Sequence, residues 1–134
     1  LTPLKKINHP KGDIFHAMKK SDIGFNGFGE AYFSTINQND IKAWKKHNKM
    51  TLNLIVPIGK IEIVIYDEIL KEFFNVELSQ KNYQRLTIKP NLWLALRGIE
   101  KCNILLNLAN IEHNASEAES VELNKIKYNW KQKI

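Results

Sequence analysis

A chain of 134 residues, 43% hydrophobic and 25% charged, has the length and composition of one globular domain with a buried core. Its formal net charge of +6 is spread along the sequence rather than gathered on one element. That spread is unlike most nucleic-acid proteins, and no nucleic-acid partner is expected. A modest positive bias suits RNA as well as an anionic small molecule, and charge alone does not choose between them.

No apolar run approaches the ~20 residues needed to cross a bilayer. No apolar block follows Lys5 and Lys6 as it would in a signal peptide, so no membrane insertion and a cytoplasmic location are expected. From the N-terminus onward the signals are those of strands. Glu30–Ile36 alternates and runs into the turn-prone Asn37-Gln-Asn-Asp40. Ile41–Trp44 reads as a short strand leading into a basic loop that holds Lys45, Lys46, His47 and Lys49. Met50–Val56 sets Thr51 and Asn53 against Leu52, Leu54 and Val56, which puts two polar side chains on one face. Pro57-Ile-Gly59 turns the chain into a strand over Lys60–Tyr66, and Asp67–Phe74 reads as a helical turn or a loop.

Gln84–Ile88, Leu92–Leu96 and Asn103–Ala109 are three further strands, the first closed by Lys89-Pro90-Asn91. Cys102 is the only cysteine, which excludes an internal disulfide, and it is expected as a buried structural thiol at the head of an apolar strand. The polar stretch 112–124 holds a turn of helix near Ala115–Val121. Ile126, Tyr128 and Trp130 alternate as a final strand or ordered extension. About seven or more short strands without long amphipathic helices predict an all-β sandwich or barrel, in a single domain over 1–134.

The segments Gly29-Glu-Ala-Tyr-Phe-Ser-Thr-Ile and Ile41-Lys-Ala-Trp-Lys-Lys-His-Asn-Lys-Met-Thr-Leu-Asn-Leu-Ile-Val-Pro-Ile-Gly-Lys, with Tyr66-Asp67 after them, carry a family likeness. So do Ile88-Lys-Pro-Asn-Leu-Trp-Leu-Ala-Leu, the stretch from Asn107 to Glu119, and Tyr128-Asn-Trp130. Together they resemble the dTDP-4-dehydrorhamnose 3,5-epimerase branch of the cupins over roughly residues 10–130. The resemblance implies a jelly-roll of two antiparallel sheets, a homodimer, and a nucleotide-diphosphate sugar bound in the barrel mouth. It also implies epimerisation or isomerisation of a 4-keto-6-deoxysugar by proton abstraction, without metal or redox cofactor, in surface polysaccharide synthesis. In that family a histidine is the base, a tyrosine the acid on the opposite ring face, and a lysine steadies the enolate oxygen.

This chain departs from that pattern. Lys45 stands where the family has its basic histidine, with His47 two residues on; the family's lysine falls at Leu52. The histidine of its Pro-x-x-x-x-His-Gly-Phe segment falls at Leu94, and its C-terminal tyrosine near Asn107. These losses raise an alternative, a non-catalytic or divergent cupin that binds a sugar nucleotide without turning it over.

The groups that remain suggest a site of their own. His47 has the chemistry of a general base near neutral pH, and Lys45 that of a cation beside it. Tyr32 is the strand tyrosine nearest them in the motif and a candidate acid. One of Lys42 and Trp44 is expected to point inward. Thr51 and Asn53 are expected to line a polar cavity, because inward polar groups need partners. Trp93 is a candidate to stack on base or sugar, Arg97 to pair with the diphosphate, and Asn107 to bind substrate. No His-x-His pair occurs, so no metal site is expected.

Overall fold

The computed structural model describes residues 1–130, so the last four residues of the expected domain lie outside the described residues. Twelve strands follow one another along the described residues. They are β1 (Thr2–Pro3), β2 (Lys6–Ile7), β3 (Ile14–Phe15), β4 (Glu30–Thr35), β5 (Ile41–His47) and β6 (Leu52–Ile58). After these come β7 (Lys60–Asp67), β8 (Glu72–Ser79), β9 (Gln84–Ile88), β10 (Trp93–Gly98), β11 (Ile104–Ala109) and β12 (Ala118–Ser120). Two five-stranded sheets, in the orders β1-β9-β6-β11-β4 and β12-β5-β10-β7-β8, pack face to face, and β2 and β3 form a small ribbon. The strand pairs within the sheets are antiparallel. This is the all-β jelly-roll architecture expected for a cupin.

The alternation of residues decides what lies between the sheets. Leu52, Leu54 and Val56 of β6 point inward with Ile61, Ile63 and Ile65 of β7, Leu96 of β10 and Leu105 of β11. Each such side chain contributes about 1.5–3 kcal/mol by leaving water. Gly59 makes the sharp turn from β6 to β7 at a φ of +81°, and a Cβ there would strike the Cys102 carbonyl.

The outer faces are covered too. On the first sheet, Arg85 of β9 donates to the carbonyls of Ala17 and Ile23 and pairs with Asp22, pinning residues 17–23 across the strands. On the second, Trp44, Val64, Trp93 and Ala95 are roofed by Val121, Ile126, Tyr128 and Trp130 of the C-terminal tail.

Several local expectations are corrected. The basic cluster is strand, since β5 runs on to His47. Glu72–Ser79 is a full strand in place of the expected turn or loop, paired residue by residue with β7 from Lys60↔Ser79 to Asp67↔Glu72. The 3-10 turn is confined to Ala115–Glu117 and gives way to β12. Cys102 is exposed in the bend before β11 rather than buried.

Candidate active site

A cavity of about 390 Å³ opens between the sheets on the side where β4 and β5 are joined. Its wall carries Tyr32 and Ser34 of β4, Lys42, Lys45 and His47 of β5, and Ser120 of β12. Its floor is Leu52, Leu54 and Leu105 from one sheet with Leu94 and Leu96 from the other.

Lys42 and Lys45 sit three residues apart, a spacing that in a regular strand would send them to opposite faces. A bulge removes the conflict. Against β10, Leu94 pairs with Lys45 and Leu96 with Lys42, so Ala95 faces two residues of β5, Ala43 and Trp44. The extra residue brings both lysines, and His47 beyond them, to the cavity. It turns the indole of Trp44 outward, where its Nε1 donates to the Leu123 carbonyl at 3.2 Å.

His47 is held on every side. Its backbone pairs with Ala118 of β12, and its carbonyl accepts from the Asn91 N–H at 2.6 Å. The ring Nδ1 lies 2.5 Å from Oε1 of Glu117, and the two side chains are only 7% and 3% exposed. A carboxylate accepts and does not donate, so Nδ1 carries a hydrogen, and in the neutral ring the lone pair is on Nε2. The second carboxylate oxygen of Glu117 accepts from the backbone N–H groups of Lys49 and Met50 at 3.1 and 3.3 Å. Burial pushes the Glu117 carboxyl up, but the bonds from His47, Lys49 and Met50 outweigh it and hold the group below the usual glutamate range.

Lys42 donates to Ser34 Oγ at 3.1 Å and to the Thr35 carbonyl at 2.7 Å. The Lys45 ammonium makes no hydrogen bond or ion pair among the described residues. Lys46 points to the other face, where it pairs with Glu68 at 2.7 Å and Glu119 at 3.1 Å. Hydrogen bonding to Glu68 leads the effects that raise its pKa. On β4, the Tyr32 phenol oxygen accepts from Asn107 Nδ2 at 3.0 Å.

Of the residues singled out from the sequence, Tyr32, Lys42, Lys45 and His47 therefore come together around one cavity, and Asn107 reaches it through Tyr32. The other four do not. Thr51 and Asn53 alternate with the floor leucines and so face the opposite side of their sheet. There Asn53 Nδ2 donates to the Gly24 carbonyl and its Oδ1 accepts from Thr87 Oγ1. Gly24, at φ +94°, approaches too closely for any side chain to fit against Thr87.

Trp93 and Arg97 alternate with Leu94 and Leu96 and so point away from the cavity. Trp93 Nε1 donates to Glu68, and Arg97 pairs with Glu62 at 2.6 Å beneath the ring of Trp130. Sequence reasoning missed Glu117. Locally, Asn114-Ala-Ser-Glu117 looks like a capping box; Asn114 does cap the 3-10 turn by accepting from the Ser116 N–H, but Glu117 turns to a histidine 70 residues away.

Known structures share this fold. A dTDP sugar isomerase from Desulfovibrio desulfuricans G20 superposes with a TM-score of 0.91 at 29% identity, covering 96% of this chain and 88% of that one. The chain is similar in fold to the dTDP-sugar isomerase and epimerase cupins, the dTDP-4-dehydrorhamnose 3,5-epimerase-like group. Two further members of this cupin fold show the same shell at lower identity. A sugar 3,4-ketoisomerase from Thermoanaerobacterium thermosaccharolyticum, in complex with TDP, has a TM-score of 0.76 at 22% identity over 88% of this chain and 84% of its own. The dTDP-6-deoxy-D-glucose-3,5-epimerase of Legionella pneumophila Philadelphia 1, in complex with dTDP-4-keto-L-rhamnose, has a TM-score of 0.77 at 13% identity over 90% and 70%. No family model and no curated protein matches the cupin chain. No helix among its described residues is long and apolar enough to cross a membrane.

Proposed function

We propose that this cupin epimerises or isomerises a dTDP-linked 4-keto-6-deoxysugar, with His47 as the base. The observation that carries the reading is the buried His47–Glu117 pair at the wall of a cavity that also holds the ammonium of Lys45, unpaired among the described residues. The name given to the Desulfovibrio protein, a dTDP sugar isomerase, supports the substrate class.

The chemistry follows from the ketone. Its carbonyl acidifies the neighbouring C–H, so the step is written without a metal. His47 Nε2 takes that proton, the C–H electron pair forms the C=C bond of an enolate, and negative charge gathers on the former carbonyl oxygen. A cation at the mouth of the cavity stabilises that oxyanion, which is the role of Lys45. Glu117 keeps the imidazole in one tautomer and balances the imidazolium as it forms. The Tyr32 phenol then delivers a proton to the other face of the same carbon, inverting it; solvent restores the phenol and removes the proton from His47.

A 4-keto sugar nucleotide incubated with the protein in D2O should gain deuterium beside the carbonyl, and His47→Asn should abolish the gain. Tight binding of dTDP with no exchange in any 4-keto sugar would instead make this a binding cupin, the reading favoured by leucine at positions 52 and 94. A cytoplasmic role in surface polysaccharide synthesis and a homodimer belong to the same proposal. For the dimer, Phe33 alternates with Tyr32 and so faces away from the cavity, 71% exposed beside its cross-strand partner Leu106. The mass in solution tests it, with Phe33→Glu expected to give a monomer.

A further inference from the structure

The cavity is polar at its mouth and hydrocarbon at its floor. Lys42, Lys45, Tyr32, Ser34 and Ser120 stand around the opening, and His47, only 7% exposed, lies deeper. Beneath them five leucines from three strands close the interior: Leu52 and Leu54 of β6, Leu105 of β11, and Leu94 and Leu96 of β10. All five belong to, or pack against, the central apolar cluster. The polar side chains nearest the floor are already committed. Asn107 spends its amide on the Asn53 N–H and on Tyr32, and Glu117 spends its carboxylate on His47, Lys49 and Met50. A sugar hydroxyl carried down to the leucines would lose its water and, away from His47, meet only hydrocarbon.

A 6-deoxyhexose offers one methyl group to such a floor and keeps hydroxyls on the ring. Five leucines span more than one methyl can cover. We infer that this cupin selects a sugar with an apolar ring edge: a nucleotide-linked 4-keto hexose deoxygenated at a ring carbon as well as at C6, such as a 4-keto-2,6-dideoxyhexose. The inference deepens the proposed isomerase reading and rests on it for the location of the sugar. An apolar pocket discriminates against an added hydroxyl only moderately, so a preference on the order of 10- to 100-fold is expected.

The test compares dTDP-4-keto-2,6-dideoxyglucose with dTDP-4-keto-6-deoxyglucose. Deuterium exchange from D2O gives kcat/KM for each, and calorimetry gives each Kd. A dideoxy sugar favoured by about 10-fold or more in either quantity supports the inference. Exchange of both sugars at equal efficiency, or a preference for the hydroxylated one, overturns it and leaves the isomerase reading standing. Binding without exchange overturns the isomerase reading, and the ratio of the two Kd values still decides the inference. Failure to bind either sugar overturns both. Leu94→Thr, which places a hydroxyl in the floor at a half-buried position, should bring the two sugars closer together; an unchanged ratio in the folded variant counts against the floor as the cause. If that variant does not fold, the ratio for the unaltered protein decides.

Discussion

Asn107 donates to Tyr32 and does not accept from it. Its Oδ1 takes the Asn53 backbone N–H at 3.1 Å, which leaves Nδ2 facing the phenol oxygen at 3.0 Å. A flipped amide would set its NH2 against a backbone N–H, so the orientation is locked. The phenol must receive this bond, and its own hydrogen is left to point at a ligand. Tyr32→Phe should then lower kcat by about 10²–10⁴-fold with sugar-nucleotide binding kept. Asn107→Asp tests the polarity. A carboxylate there accepts the phenol hydrogen and holds it away from the sugar, so kcat should fall in the folded variant with KM little changed, and the buried charge should lower the melting temperature as well. A loss of stability with kcat unchanged would make Asn107 a packing residue only.

The His47–Glu117 pair should behave as one catalytic unit. His47→Asn removes the base and should reduce deuterium exchange by about 10²–10⁴-fold. Glu117→Gln keeps the size of the side chain but loses the charge that balances the imidazolium, and exchange should fall as well. The double variant should be only about as slow as His47→Asn alone, because groups that act together do not add. Rate losses that multiply would separate the two residues.

Acid should expose the same carboxylate through stability. The folded protein holds Glu117 below the usual glutamate range, so its contribution is complete above the ordinary value of about 4.3 and is lost as pH falls through the lower folded value. Urea midpoints of the unaltered protein and Glu117→Gln should differ clearly at pH 5 and converge toward pH 3. Asp22 and Glu68 are also held low, by hydrogen bonds led by Lys19 and Lys46 respectively, but both proteins keep them and their effects cancel. A gap that stays constant across this range would remove Glu117 as its source.

Adjacent lysines give the sharpest contrast. Lys45 faces the cavity without a partner among the described residues, while Lys46 faces outward between Glu68 and Glu119. Lys45→Met should weaken binding of a dTDP-sugar by about tenfold, equivalent to one lost charge contact of about 1.4 kcal/mol, and slow exchange further. Lys46→Met should leave both unchanged and cost at most about 1 kcal/mol of stability, because its partners are half exposed. Equal effects at the two positions would place the sugar elsewhere.

The shell was legible because its strands announce themselves by alternation and its turns by Gly59 and Lys89-Pro90-Asn91. What alternation does not give is which face is the inside. Thr51 and Asn53 share a face, as read, but both faces of β6 are covered, one by the opposite sheet and one by the segment around Gly24. Two polar residues in an apolar strand therefore satisfied a backbone cover and not a cavity. The bulge at Ala43 and Trp44 has no signature in the residues around it, yet it sets Lys42 and Lys45 on one side. Glu72–Ser79 hid as a strand because Asp67-Glu-Ile-Leu-Lys71 before it has helical composition, and only pairing with β7 makes the segment extended. Glu117 could not be found locally at all: its partner is a histidine on another strand.

Arg97 supplies the remaining test, since its chemistry suits a diphosphate and its position does not. It pairs with Glu62 directly across β10 and β7, on the face turned from the cavity, and the two residues are 7% and 5% exposed. Removing one member of a buried pair leaves the other charge out of water without its partner, so Arg97→Met should cost about 3–5 kcal/mol. Glu62→Leu combined with Arg97→Met should recover much of that loss, because no lone charge then remains. In each folded variant the affinity for dTDP should stay as it was. A stable Arg97→Met protein that no longer binds dTDP would reverse the assignment, and would put the diphosphate under the Trp130 ring on the outer face of the sheet.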